Sequence, residues 1–414
     1  MKVVDVIAVP VRSGFFRDDQ ASVREGAAHD GFLYEGRPTT PGFRTIREAG
    51  VAVSIMLLLE DGRVAYGDCA EVQYAGVGGR APLIDPGALI AEIGQALQPE
   101  LLGRDITSFR KLGDQIDALE PGGRPLSTSL RYGISQALLD AAAQSAGLTM
   151  AEVIRDEYDT GVALTPVPLY AQSGDERYTN VDKMITKRVD VFPHGLINTV
   201  DGKLGSDGRL LLDYVRWVRD RVVAIGEPGF APVIHIDVYG TLGIIFDDDL
   251  DRIATYLDEL RQRAAPYALR LEHPIDAGDR EAQIEAYVKL RALLALRGID
   301  VALVADEWCN TLDDIRAFVA AGAADMIQVK TPDLGGVGNV IEALLDVRRA
   351  GVGAFCGGTC NETDVSARVS AHIAMACGAT QVLAKPGMGV DEGVMLVGNE
   401  MARVAALAEA RVTV

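Results

Sequence analysis

The sequence predicts an α/β fold: a (β/α)8 TIM-type barrel over residues 161–414, carrying an N-terminal α+β capping domain over residues 1–160. Three observations predict it. The chain has 414 residues, enough for a barrel of about 250 residues and a second domain. From about residue 164 short apolar runs alternate with helix-period segments, the rhythm of a parallel sheet. Before that point strands come first and helices follow, which is an α+β layout.

In the first unit, Val51 to Leu59 reads as a strand, Asp61-Gly62 as a hairpin turn and Val64 to Tyr66 as the returning strand. Helices are expected near 87–101, 107–119 and 127–146, each with apolar residues at three- and four-residue spacing; Ser127, Thr128 or Ser129 can cap the third. In the second unit, eight strands are expected: Val167 to Ala171, Leu196 to Val200, Val233 to Val238, Leu269 to Leu271, Val301 to Ala305, Met326 to Val329, Ala354 to Cys356 and Gln381 to Ala384. Helices fit between most of them, at Leu210 to Val223, Asp248 to Ala265, Arg280 to Ala295, Leu312 to Ala320, Val337 to Ala350 and Val365 to Met375. Val394 to Val412 reads as a last amphipathic helix. Eight strand–helix units favour a closed barrel over an open sheet.

Composition narrows the function. Hydrophobic residues make up 48% and charged residues 24%, an ordinary globular balance. The formal net charge of −19 argues against nucleic acid and anionic membrane as partners, because both need basic patches. It leaves an anionic small molecule open, since a cation and a few bases can reverse the sign inside one pocket. The five cysteines are scattered, as expected of reduced thiols in the cytoplasm. The apolar start is broken by Asp5, and Ile55 to Leu59 is far shorter than a membrane span, so a cytoplasmic location is expected.

The chemistry of such a barrel sits where its strands end. Expected strands three, four and five run into Asp237, Glu272 and Asp306, spaced by 35 and 34 residues, about one βα unit each. Three acids converging on one rim would repel one another unless a cation sat between them, and a hard divalent ion such as Mg2+ takes oxygen ligands. Asp306 is followed by Glu307, but strand phase favours Asp306 as the third ligand. Strand six runs into Lys330, where burial and a nearby cation would lower the amine's pKa and make it a base. His194 is read as preceding strand two, either as an acid–base partner or as a loop or core histidine. His235, inside strand three, and His273 receive no catalytic role. Gly335-Gly336 and Gly357-Gly358 lie on the same rim and can present backbone N–H groups to a carboxylate. Gly76-Val77-Gly78-Gly79 has the composition of a dinucleotide loop, but Pro82 and Pro86 follow and no helix opens directly after it, so that reading is rejected.

Carboxylates ending strands three to five and a lysine ending strand six resemble the enolase superfamily and, within it, the 3-methylaspartate ammonia-lyase family. The resemblance spans the chain through Gly67 to Ala70, Val72-Gln73-Tyr74, Gly78-Gly79-Arg80, Ala171 to Asp175, His235 to Gly240, Val304 to Asn310, Lys330 to Val337, Cys356 to Thr363 and Ala384 to Gly393. It implies an enolase-like fold and a carbon–nitrogen lyase of amino-acid degradation and glutamate catabolism, with Mg2+ on Asp237, Glu272 and Asp306. Lys330 would be the base for one face of the substrate and His194 its counterpart on the other. Gln172, Gln328, Thr359 and Cys360 match substrate-contacting positions, and Gln73 and Leu383 match pocket-lining ones. It further implies a homodimer acting on a small amino acid, and leaves room for a monovalent cation such as K+. Glu71, in place of a small residue, and His273, in place of glycine, depart from the family pattern, and both are expected beside the pocket. Alternatives are another lyase or isomerase of the same superfamily acting on a different carboxylate, or a non-catalytic barrel subunit; the second predicts a broken residue set, and this one is intact.

Overall fold

The computed structural model describes residues 1–74 and 80–412. The segment Gly76-Val77-Gly78-Gly79 lies outside the described residues, as does the glycine part of Gly78-Gly79-Arg80. The N-terminal unit is built on a three-stranded antiparallel sheet, β1 (Val3–Asp18), β2 (Arg47–Leu59) and β3 (Val64–Cys69), with β2 in the middle. In β2, Val53, Ile55, Leu57 and Leu59 are buried while Ser54, Met56 and Leu58 are half-buried, the period of two that makes one face of a sheet. The long β1 was not among the expected strands.

Helices α1 (Pro86–Glu92), α2 (Phe109–Asp117), α3 (Thr128–Ala146) and α4 (Met150–Glu157) follow. Asp85 caps α1 and Ser108 caps α2, while a Thr149–Glu152 capping box opens α4. Ser127 is the N-cap residue of α3, but its hydroxyl goes to Glu92 instead of the helix backbone. Helix α3 is buried nearly all round, as a helix between a sheet and a barrel must be.

The rest is a closed eight-stranded parallel barrel: β4 (Leu169–Tyr170), β5 (Val191–His194), β6 (Val233–Asp237), β7 (Leu269–Glu272), β8 (Ala302–Ala305), β9 (Met326–Val329), β10 (Gly353–Cys356) and β11 (Gln381–Leu383). Its helices are α5 (Arg177–Thr186), α6 (Arg209–Ile225), α7 (Leu250–Ala264), α8 (Arg280–Arg297), α9 (Leu312–Ala321), α10 (Val337–Arg349), α11 (Asp364–Cys377) and α12 (Val390–Val412). No described helix is long and apolar enough to cross a membrane. All five cysteines are buried and free.

One expected strand is corrected. The second barrel strand is Val191–His194, not Leu196 to Val200, so His194 ends a strand instead of preceding one. Pro193 argues against a strand by propensity. The barrel overrides it: Val191, Phe192, Pro193 and His194 stand opposite Val233, Ile234, His235 and Ile236, and the Pro193 carbonyl accepts from Ser173 N–H at 2.9 Å. Leu196 and Ile197 are buried as part of the connection that follows.

The sheet and α3 meet backbone to backbone, which two glycines allow. A Cβ on Gly67 would lie 2.1 Å from the Gly133 carbonyl, and one on Gly133 would lie 2.7 Å from the Cys69 nitrogen. Neither neighbour is a flexible side chain that could yield. Gly133→Ala is expected to cost about 1–3 kcal/mol, read as a lower midpoint of denaturant unfolding; an unchanged midpoint would show that the packing relaxes without strain.

Candidate active site

Parallel pairing sets the site. Asp237 and Glu272 are register partners at the ends of β6 and β7. Glu272 pairs with Val304 on β8, and Asp306 lies two residues further on the same face. One carboxylate oxygen from each of Asp237, Glu272 and Asp306 lies within 4.8 Å of the others, and all three residues are buried. Burial, and then the charges of Asp237 and Asp306, push the Glu272 carboxyl well above its ordinary range. Burial and the neighbouring Glu307 push Asp306 up to about 7. Asp306 Oδ1 makes no hydrogen bond. A buried triad of hard oxygen donors, one of its oxygens free of hydrogen bonds, fits a small divalent cation.

The two proposed acid–base groups flank the triad. Lys330, just beyond β9, donates to Asp306 Oδ2 at 2.8 Å. His194 Nε2 lies 3.4 Å from Asp237 Oδ2. The sequence led one to expect a lowered Lys330 pKa; burial and Arg80 do act downward, but Asp306, Glu307 and Asp333 outweigh them and hold the ammonium above its ordinary value. His194 Nδ1 accepts from Leu196 N–H at 3.2 Å. The neutral ring therefore carries its proton on Nε2, facing Asp237 and, at 3.5 Å, the Tyr239 hydroxyl. His194, Tyr239, His273 and Trp308 all have positive φ, between 50° and 66°. These strained residues follow or end β5, β6, β7 and β8, and side chains rarely adopt this conformation unless the surroundings impose it.

The other expected residues divide. Gln73, Gln172, Gln328, Thr359 and Cys360 line one small cavity with the triad, Lys330 and His194. Gln328 donates to Glu272 Oε1. Its side chain lies over Gly357, where a Cβ would come within 2.4 Å of Gln328 Cγ. Gln172 Oε1 is buried without a partner. Gln73 reaches in from the N-terminal unit: its N–H donates to Thr359 Oγ1 at 3.1 Å, and its side-chain oxygen accepts from the Cys360 thiol at 3.2 Å. Burial pushes that thiol up to about 12, so it is a neutral contact and not a nucleophile. Leu383 does not line this cavity; it packs with Tyr170 and Phe355 in an apolar cluster inside the barrel.

Three residues given no role in the sequence reading turn out to be central. Arg80, from the N-terminal unit, reaches Asp333 at 3.0 Å, Glu307 at 3.3 Å and Asp306 at 3.5 Å. His273 Nδ1 lies 2.7 Å from Glu307. The Glu272–Asp306 offset of two residues recurs in His273 and Glu307, one position further along the same strands. That offset was available in the sequence, since histidine follows one acid and glutamate the other; Arg80, brought in from another unit, left no such signal.

Glu71 faces away from the cavity. One oxygen pairs with Arg17 at 3.3 Å and the other accepts from Ile84 N–H at 2.5 Å. Burial pushes its carboxyl up from 4.5 to about 7. The folded state then binds more protons than the unfolded chain between those values, so this group costs stability as pH rises through that window, on the order of 3 kcal/mol in full. Glu71→Gln is expected to flatten the fall in stability from pH 4.5 to 7, followed by denaturant unfolding; profiles parallel to the parent's would contradict this.

Family models described as the N-terminus and the C-terminus of methylaspartate ammonia-lyase match residues 1–159 and 161–410. Methylaspartate ammonia-lyase of Clostridium tetanomorphum is 53% identical over 408 residues, covering 98% of this chain and 99% of its own length. The crystal structure of beta-methylaspartase from the same organism, a Mg complex, matches with a TM-score of 0.94 at 53% identity, over 99% of this chain and 100% of that one. The Citrobacter amalonaticus methylaspartate ammonia lyase containing (2S,3S)-3-methylaspartic acid matches with a TM-score of 0.97 at 47% identity, over 99% of this chain and 100% of that one. Both halves of the chain and the whole of its fold lead to one conclusion: it belongs to the methylaspartate ammonia-lyase family of carbon–nitrogen lyases.

Proposed function

We propose that this chain eliminates ammonia from 3-methylaspartate to give mesaconate, with Lys330 removing the proton beside the side-chain carboxylate. The observation that carries this reading is the buried triad with an amine at one flank and an imidazole at the other. The related Citrobacter enzyme holds (2S,3S)-3-methylaspartic acid and the Clostridium one is a Mg complex, which supports both the substrate and the ion. Asp237, Glu272 and Asp306 would hold Mg2+. Bound there, the ion supplies Lewis-acid polarisation of a substrate carboxylate and offsets the acid charge that otherwise keeps Lys330 protonated.

Lys330, as neutral amine, takes the proton from the carbon next to the carboxylate. Gln328, with a second amide hydrogen, and His194, through Nε2–H, donate to the negative charge that develops on that carboxylate. The electron pair left on carbon then forms the double bond, and the neighbouring C–N bond breaks to release ammonia. The Nε2–H tautomer makes His194 a donor for this substrate. To act as base for the epimer of opposite configuration at that carbon, the ring must change tautomer and lose its Leu196 bond, so that epimer should react more slowly.

The purified chain with Mg2+ and (2S,3S)-3-methylaspartate should form mesaconate, followed by absorbance; absence of product sinks the reading. Equal rates for the two epimers would count against the tautomer argument. Lys330→Ala should lower kcat by about 10²–10⁴-fold with the fold intact by circular dichroism, and normal turnover would remove Lys330 as the base. Asp237→Asn should weaken Mg2+ binding. Because Asp306 is pushed up to about 7, Mg2+ uptake near pH 6 should release protons. Calorimetry in buffers of different ionisation heat measures this, and uptake without proton release at pH 6 would contradict it.

A further inference from the structure

A metal ligand must be aimed as well as present. Glu272 is aimed from beneath by a chain of side chains crossing the inside of the barrel. Arg270 lies two residues before Glu272 on β7, and His235 two before Asp237 on β6, so all four share the inward faces of adjacent strands. Gln381 opens β11 on the far side. The Arg270 guanidinium donates to Gln381 Oε1. Gln381 Nε2 lies 3.2 Å from His235 Nδ1, and His235 Nε2 lies 2.8 Å from Glu272 Oε2.

The direction of this chain is forced. A guanidinium can only donate, so the amide oxygen of Gln381 must face Arg270. Its NH2 then faces the ring, and Nδ1 must accept. The proton of the neutral ring is left on Nε2, where it donates to Glu272. Tyr170 stacks on the imidazole at 4.4 Å and 13°, and Phe355 meets it edge-on at 5.9 Å, so the ring plane is held as well. Gln328 donates to the other Glu272 oxygen. Each carboxylate oxygen thus receives one protein donor and keeps a lone pair for a cation shared with Asp237 and Asp306.

We propose that His235, set by Arg270 through Gln381, is a positioning residue that orients Glu272 as a ligand of the divalent cation. This rests on the reading of the triad as the Mg2+ site, and His235 transfers no proton in the reaction. The test is Mg2+ titration by calorimetry, together with the electron paramagnetic resonance spectrum of bound Mn2+. The parent protein should bind one ion, and Asp237→Asn should weaken it; failure there overturns the metal reading itself. With that in place, His235→Phe keeps the stacking but not the donor, and should raise the Mg2+ Kd by about 10–100-fold and alter the Mn2+ spectrum. His235→Gln, which can still donate, should recover most of the affinity. A folded His235→Phe protein with the parent Kd and spectrum would overturn the proposal, as would a His235→Gln protein no better than His235→Phe. Should His235→Phe not fold, Gln381→Met carries the test. It touches no metal ligand and should also weaken Mg2+, and an unchanged Kd would overturn the proposal.

Discussion

Repulsion among three buried carboxylates is the constraint from which the rest of the molecule follows. At an effective dielectric constant of about 20, two unit charges some 5 Å apart oppose each other by roughly 3 kcal/mol. Asp237, Glu272 and Asp306 are held at such separations with almost no water around them. Donors inside the barrel reach Glu272, and further opposing charge comes from the rim and from the other domain. Lys330 approaches Asp306 from β9, and Arg80 comes across from the N-terminal unit. The capping domain therefore contributes charge to the site as well as walls.

How that charge is shared decides which acid remains available. Glu307 lies between His273 and Arg80, and despite burial they hold its carboxyl well below the ordinary range. Asp306, beside it, receives Lys330 and only the more distant contact from Arg80, and it rises to about 7. One acid of the Asp306-Glu307 pair is thus satisfied within the protein, and the other keeps an oxygen, Oδ1, that makes no hydrogen bond and has only Arg80 at 3.5 Å. The two acids line the same cavity just beyond β8, and their different partners supply this division. Strand phase pointed to Asp306 over Glu307 from sequence, and it is Asp306 that clusters with Asp237 and Glu272, but phase gave no reason for the second acid.

The same distinction runs through what the sequence made legible. Asp237, Glu272, Asp306 and Lys330 could be found because the barrel turns a one-dimensional rhythm into a ring of strand ends. His194 was seen but misplaced, since Pro193 hid the strand that carries it. His235 looked like packing, and its contact with Glu272 depends on a register that no periodicity reveals. Glu71 was expected beside the pocket from its nearness to Gln73, yet two residues along an irregular segment are enough to turn it toward Arg17. Residues placed by their own strand were readable; residues placed by a partner from another element were not.

The loop that carries Thr359 and Cys360 shows why such partners matter. Glu362 and Lys385 form a fully buried ion pair at 2.7 Å, and Lys385 also donates to Thr331 and to the Gly357 carbonyl. Glu362 accepts from Thr331 and from Tyr132 of helix α3. One cluster thus ties the residue after Lys330, the loop after β10, the end of β11 and the capping domain together. Buried ion pairs add little net stability over apolar packing, but removing either partner leaves a charge with nothing to meet it. Such a cluster selects one arrangement and penalises near misses. Here the arrangement selected holds Lys330, the loop residues and the domain that brings Gln73 and Arg80 in fixed relation, as the proposed reaction, needing an amine and a carboxylate carbon in register, would require.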